Sequence, residues 1–444
     1  FTPAERSFLM GRETGRTLFK QTSAEALLTG KLQFQGHGQS LATLRFATPH
    51  APLSWREHAL SFAWLRDLAE VSDRPRGARI AEPLVQSFLA DFSEFHELGW
   101  RGDLLGQRLF YWTAYAPLIL SSNDLVYRSA VLNAIARGAR HLERTAEKLP
   151  AGLDRIHAVG GVLVAGLLLP GGEQRQHRAE AALARALDLF LLSDGGVTSR
   201  APFDMLQLLE WLLMLQAVYA ARGQRESETI SAAIVRLTPA LRGVTLGDGL
   251  LASLHGGALG NAERIDRALK QAAVPARPLR SGIASGFQRL VGGKTVVVVD
   301  AGPPPAARDS SSAHAGTLAF EMSDGATRMI VNCGGGRGQP RAVQGELAGL
   351  LRSTAAHSTL VLADTSSTRI RDDGALGKGV EEVLVERNDT AEGSWLDARH
   401  DGYARRYGLL HQRRLFLSAD GRDLRGEDVL LPARARGPRI GRAQ

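Results

Sequence analysis

Near residue 280 the hydrophobic periodicity of this sequence changes from helical to alternating, and that change limits the fold more than any other feature. From about Pro52 to Ala273 the chain is rich in Leu, Ala and Arg, with few β-branched residues and apolar positions at helical spacing. Pro- and Gly-containing joints at Pro117, Pro150–Gly152, Pro170–Gly172, Gly195–Gly196, Arg222–Gly223 and Gly243–Gly249 cut this region into short helices. In the stretch Tyr127–Leu149, Val131, Leu132, Ile135, Ala139 and Leu142 fall near one face, while Arg128, Arg137, Arg140, Arg144 and Lys148 fall largely on others. This is an amphipathic outer helix. Val159–Leu169 and Met205–Tyr219 are instead apolar nearly all round, which requires cover on both sides. Outer amphipathic helices alternating with fully apolar ones predict a double-layered, incomplete (α/α) toroid.

After Ala276 the pattern is β. Gly286–Val291 and Thr295–Asp300 flank a Gly292–Gly293 turn, and Thr317–Ser323 and Thr327–Cys333 flank Asp324–Gly325. Further strands are expected at Ser358–Ala363, Val380–Glu386, Ser394–Ala398, Leu409–Ser418 and Leu424–Leu431. Consecutive hairpins without intervening helices predict an antiparallel β-sandwich. The expected organisation is an N-terminal extension (1–51), a toroid domain (52–273), a linker (274–284) and the sandwich domain (285–444). The basic, unpatterned tail from Pro432 to Gln444 leaves the sandwich incomplete at its C-terminal end.

Composition removes several function classes. The longest nearly uncharged apolar run, Ala158–Leu169, is too short to span a bilayer. A single cysteine, Cys333, excludes intramolecular disulfides and multi-Cys metal sites. The net charge of +8 favours polyanionic partners. Only six of the 54 basic residues are lysines, so arginine dominates. Arginine suits bidentate binding of carboxylate, sulfate or phosphate. An arginine excess spread over the whole chain is also what GC-rich codon usage produces. No run interleaves Arg with aromatic residues as a strand-stacking nucleic-acid surface would, so nucleic acid is not an expected partner. No targeting segment is visible, and the opening without Met is compatible with an upstream piece having been removed, so either a periplasmic or a cytoplasmic location is open.

Four histidines of the β region sit beside small or polar residues: His314, His357, His400 and His411. A lone histidine is usually a surface or satisfied core group, but neutral imidazoles converging from strand ends can take protons or bind metal. His400-Asp-Gly-Tyr403 is turn-like, and its Tyr either projects toward a cleft or packs a loop. In the helical region, Asp194-Gly-Gly-Val-Thr-Ser-Arg200-Ala-Pro202 places Arg200 at the start of an apolar helix. There it either clamps a substrate carboxylate or holds a helix joint. Asp194 and Glu210 are the carboxylates a toroid glycosidase would pair. Asn332 precedes Cys333 and three glycines, which lack the Lys-Ser/Thr of a phosphate loop.

The motifs DGGVTSRAP (194–202), SGFQRLVGGKTVVVVDAGPPP (285–305), AHAGTLAFEMSDGATRMIVNCGG (313–335), AAHSTLVLAD (355–364) and HDGYARRYGLLHQRRLFLSADGRDLRGED (400–428) resemble the heparinase II/III-like family of polysaccharide lyases. The resemblance covers roughly residues 60–431 and is strongest in the β region. It implies a toroid followed by a β-sandwich, an anionic, uronate-containing polysaccharide as partner, and cleavage by β-elimination. Elimination needs a neutralised carboxylate, a base for the C5 proton and an acid for the leaving oxygen. The resemblance implies His314 as leading base, Tyr403 as leading acid, with His357 beside them. It assigns substrate contacts to Arg200, His400, Asn332 and Arg413, and a structural divalent metal, Zn or Ca, with His357 among its ligands. The chain departs from the family in having no Asn-His pair and, after Ala201-Pro202, Phe203 in place of Tyr. Those departures keep a second reading open: a polysaccharide-binding or assembly protein on the same fold.

Overall fold

The computed structural model describes residues 22–47, 50–92, 94–258, 260–335 and 346–433. The N-terminal opening and residues 434–444 of the tail lie outside them. The chain begins with helix α1 (Thr22–Leu28) and the hairpin β1 (Lys31–Phe34) and β2 (His37–Ser40). Leu27, Leu32, Leu44 and Phe46 join the helical core, and Trp55 Nε1 donates to the Leu32 carbonyl. The described part of the segment predicted as an extension, residues 22–47, is thus packed into the helical domain.

Ten helices follow among the described residues, apart from shorter turns: α2 (Leu53–Ser61), α3 (Trp64–Val71), α4 (Arg74–Asp91), α5 (Gly102–Ala114), α6 (Leu125–Thr145), α7 (Leu153–Leu168), α8 (Glu173–Phe190), α9 (Pro202–Ala221), α10 (Glu228–Gly243) and α11 (Ala262–Gln271). The two apolar segments form α7 and α9, buried nearly all round, as the sequence predicts. α6 is the outer amphipathic helix, capped by Asp124, whose carboxylate accepts from the Val126 and Tyr127 amides. Its buried stripe is Tyr127, Val131, Ile135, Ala139 and Leu142, whereas Leu132 points outward and is exposed. α5 and α7 cross at glycines. A Cβ on Gly106 would lie 2.2 Å from the His157 carbonyl oxygen, and one on Gly161 2.4 Å from that of Gly106.

Two four-stranded antiparallel sheets make the second half. One runs β3 (Phe287–Gly292), β4 (Thr295–Asp300), β5 (Phe320–Asp324), β6 (Thr327–Ile330). The other runs β10 (Leu424–Pro432), β9 (Leu409–Ser418), β8 (Gly393–His400), β7 (Val383–Asp389). Leu290, Val297 and Val299 of the first meet Leu396, Ala398, Leu415 and Leu417 of the second. This is the predicted toroid-plus-sandwich order. One expected strand, Ser358–Ala363, does not form. Its polar groups go elsewhere: the Ser358 amide donates to Asn332 Oδ1, the Ser358 carbonyl accepts from Arg413, and the Leu360 carbonyl accepts from Tyr403. With those groups engaged by side chains, no ladder is available to it.

Candidate functional site

Two similar turns carry the toroid to the sandwich. Asp194-Gly195 and Asp248-Gly249 each place a positive-φ glycine after an aspartate. In each, the aspartate Oδ1 accepts from the amide two residues on, Gly196 or Leu250. An isolated antiparallel bridge closes both, Leu191 with Val197 and Thr245 with Leu251. Each turn leads to a non-glycine residue in left-handed conformation, Arg200 at φ 53° and His255 at φ 50°. Such strain persists only where surrounding contacts hold it. Here both side chains converge on Asp300 at the end of β4. Arg200 Nη2 lies 2.5 Å from Asp300 Oδ1, and His255 Nε2 lies 3.0 Å from Oδ2. Arg200 also donates to the carbonyls of Ser285, Gly302 and Pro303, and its guanidinium lies over the Phe287 ring. Burial alone would raise the Asp300 pKa. Arg200 and then His255 outweigh that and hold it at about 2.

Next to this clamp lies a histidine pair. His357 Nδ1 is 2.7 Å from the Ser353 carbonyl, which can only accept, so this nitrogen carries the proton. His357 Nε2 is then the acceptor for His314 Nδ1–H at 2.8 Å. The remaining lone pair, on His314 Nε2, is buried and has no hydrogen-bond partner among the described residues. His314 is 1% exposed, and the Arg352 guanidinium braces its loop through the carbonyls of Ala313 and Ser310. Burial first, then His357, His255 and Arg352, push the His314 pKa well below its ordinary value. His357 and His255 are lowered too, chiefly by burial. Asn332 approaches through Ser358, and its backbone amide donates to the buried Glu321 carboxylate.

The other predicted residues gather around β8 and β9. The Gly402 amide donates to His400 Nδ1. His400 Nε2–H therefore faces His411 Nδ1 at 3.1 Å, and His411 Nε2–H faces Asp428 Oδ1 at 2.8 Å. Arg413 grips the same Asp428 through two bonds of 2.8 Å and donates to the carbonyls of Leu318 and Ser358. The Tyr403 hydroxyl donates to the Leu360 carbonyl at 2.8 Å, and the residue is 1% exposed. Burial raises its pKa to about 12.

The seven predicted residues thus form two buried groups, joined through Ser358. Arg200, His314, His357 and Asn332 lie at the domain junction. His400, Tyr403 and Arg413 lie between the sheets. Arg200 holds the joint rather than open space, Arg413 is bound to Asp428, and Tyr403 packs a loop. Of the two carboxylates considered for hydrolysis, Asp194 accepts from the Ser285 amide and hydroxyl, and Glu210 forms a two-pronged pair with Arg264. Two open grooves among the described residues lie away from both groups. One of about 550 Å³ is lined by Arg369, Arg371, Asp372, Asp373 and Lys378, and one of about 350 Å³ by Pro304, Pro305, Thr368 and Glu381 among others. A divalent metal does not fit the histidine pair in this arrangement. Metal binding would turn both facing lone pairs toward one ion about 2.0–2.1 Å away, whereas here one nitrogen donates its proton to the other. Among the described residues no three His, Cys, Asp or Glu side chains are grouped to hold an ion.

Sequence reasoning missed His255 and Asp300. The signal was the Asp-Gly turn occurring twice, with a polar residue six or seven positions after each aspartate.

The neutral histidines make the fold acid-sensitive. His400 is held neutral by burial, then by His411 and Arg413, with its pKa at about 3. Its ordinary value is about 6.5, so the stability it contributes is complete above that pH and is lost as the pH falls toward 3. At pH 5 the loss from this residue alone is about 2 kcal/mol. Denaturant unfolding at about pH 7.5 and about pH 5 is expected to show at least this loss, and His400→Gln to remove that share of it. An unchanged stability across this range would contradict the buried neutral state.

Comparison with known proteins agrees with the architecture. A family profile described as "Heparinase II/III-like, C-terminal" matches residues 274–439. "FtsZ-localized protein C" of Caulobacter vibrioides (strain NA1000 / CB15N) is 36% identical over 392 residues, which are 85% of this chain and 66% of that protein. The chain therefore spans slightly less than two thirds of this relative. Among solved structures, a heparinase III superposes with a TM-score of 0.67 at 12% identity, covering 94% of this chain and 69% of that one. The heparan sulfate lyase HepC from Pedobacter heparinus gives 0.59 at 14%, covering 94% and 71%. At such identities the likeness is one of fold.

Proposed function

The C-terminal part of the chain, residues 274–439, belongs to the heparinase II/III-like family, and from that premise we propose that the chain is a polysaccharide-binding and assembly protein, localised with FtsZ, that keeps the lyase architecture without performing elimination. The observation that carries this reading is the direction of the Tyr403 hydroxyl, which donates inward to the Leu360 carbonyl from a residue only 1% exposed. Elimination needs its acid and base within hydrogen-bond reach of one sugar. Here the leading acid and the leading base, His314, are sealed in separate groups. The arginines suited to a uronate are likewise bound to the protein's own carboxylates: Arg200 to Asp300, Arg264 to Glu210, Arg328 to Asp248 and Glu321, and Arg413 to Asp428. A polyanion would then be met by exposed arginines on the surface, giving binding that weakens with salt.

The relative's name supports the location. A fluorescent fusion of this chain is expected to co-localise with FtsZ in its own cells, and His314→Ala to leave that pattern unchanged. A pattern independent of FtsZ would overturn this part of the reading.

One observation favours a second reading, a retained lyase. The unpartnered His314 Nε2 is a buried polar atom of the kind that a bound ligand satisfies.

A further inference from the structure

The outward face of the second sheet carries an aromatic platform in a hydrogen-bonding frame, and we propose that it binds a strand of uncharged pyranose sugars. The register places four residues in one row across the sheet: Asn388 on β7, Trp395 on β8, Phe416 on β9 and Arg425 on β10. The next row is Glu386, Asp397, Arg414 and Glu427. All eight alternate with Leu396, Leu415 and Leu417, which point into the sandwich, so they share the opposite face. The Trp395 and Phe416 rings are 4.5 Å apart at 36°, and the Arg425 guanidinium lies over the Phe416 ring at 6.0 Å. Trp395 is nevertheless 47% exposed. A half-exposed tryptophan at the middle of a sheet offers a flat apolar surface to the apolar face of a sugar ring.

The charges of this face point to the class of ligand. Arg414 pairs with Asp397 at 2.9 Å and with Glu427 at 3.3 Å, and Gln412 Nε2 donates to both Asp397 oxygens. With three carboxylates and one guanidinium the second row keeps a net negative charge, and its pairs still present donors and acceptors toward solvent. Such a frame complements hydroxyl and amide groups rather than a polyanion, whose charges would have to break these pairs. Four strands span about 14 Å, more than one sugar ring. This surface is separate from the buried histidines, so the inference goes beyond the function proposed above and does not depend on it.

The test is titration of the whole chain with chitin and cello-oligosaccharides, followed by calorimetry and tryptophan fluorescence, with a heparin oligosaccharide in parallel. Saturable binding of a neutral oligosaccharide is expected, and Trp395→Ala should weaken it about tenfold or more. Trp395→Phe should retain part of the affinity. Because Trp395 lies outside the core, both variants should keep the wild-type melting curve, which separates lost binding from lost folding. Three results would overturn the proposal: no binding of the neutral oligosaccharides, binding equal in Trp395→Ala, or binding confined to heparin. A self-association that Trp395→Ala abolishes, with no sugar bound, would instead assign this face to a second copy of the chain.

Discussion

Asp300→Ala is expected to lower the stability of the folded chain by about 3–5 kcal/mol, the range for removing one partner of a buried ion pair. The loss is large because Asp300 answers two groups. Without it, the Arg200 guanidinium keeps only carbonyl partners in a site 5% exposed, and His255 loses its acceptor. Both residues occupy left-handed backbone, so relaxation is restricted. The same carboxyl gives a second signature. Its pKa is held at about 2, below the unfolded value near 3.9, so its contribution is complete above that value and lost as the pH falls toward 2. Guanidinium unfolding of wild type and variant at neutral pH measures the first effect. A loss below about 1 kcal/mol would show that the clamp does not hold the domains.

Gly106→Val is expected to cost about 3 kcal/mol or more, by overpacking the crossing of α5 and α7. The new Cβ would meet backbone, the His157 carbonyl oxygen at 2.2 Å and the Ala158 Cα at 2.6 Å, and backbone cannot turn aside as a side chain can. Gly138→Ala is the matched control. Its Cβ would meet the end of Leu105 at 3.0 Å, and alanine gains helix propensity of about 1 kcal/mol over glycine. Thermal unfolding should show a large drop for the first substitution and little change for the second. Equal effects would argue against backbone contact at the crossing.

The sequence made the architecture legible because each half has an unambiguous period. The nearly unbroken apolar stretch of α9 could only be an inner helix, and TVVVVD could only be a buried strand. Local chemistry was harder to read. Leu132 fits the apolar stripe by spacing alone, yet it lies just past the edge that α6 buries. Ser358–Ala363 has the composition of a strand, but Asn332, Tyr403 and Arg413 take its polar groups from distant parts of the chain. The same limit applies to the site. The motifs located His314 and His357, which do meet, but nothing in one sequence says that Arg200 would find a carboxylate 100 residues away. Residue type announced what each group could do, and only the packing decided toward what it turned.

The central claim is that the groups suited to elimination are turned inward and do not act on a sugar. The most direct measurement is the ultraviolet absorbance of unsaturated uronate when the protein is incubated with heparan sulfate, chondroitin, alginate and uronate exopolysaccharides. No product is expected from any polymer, with or without His314→Ala. Unsaturated product that accumulates with the wild-type chain and disappears with His314→Ala would contradict the account.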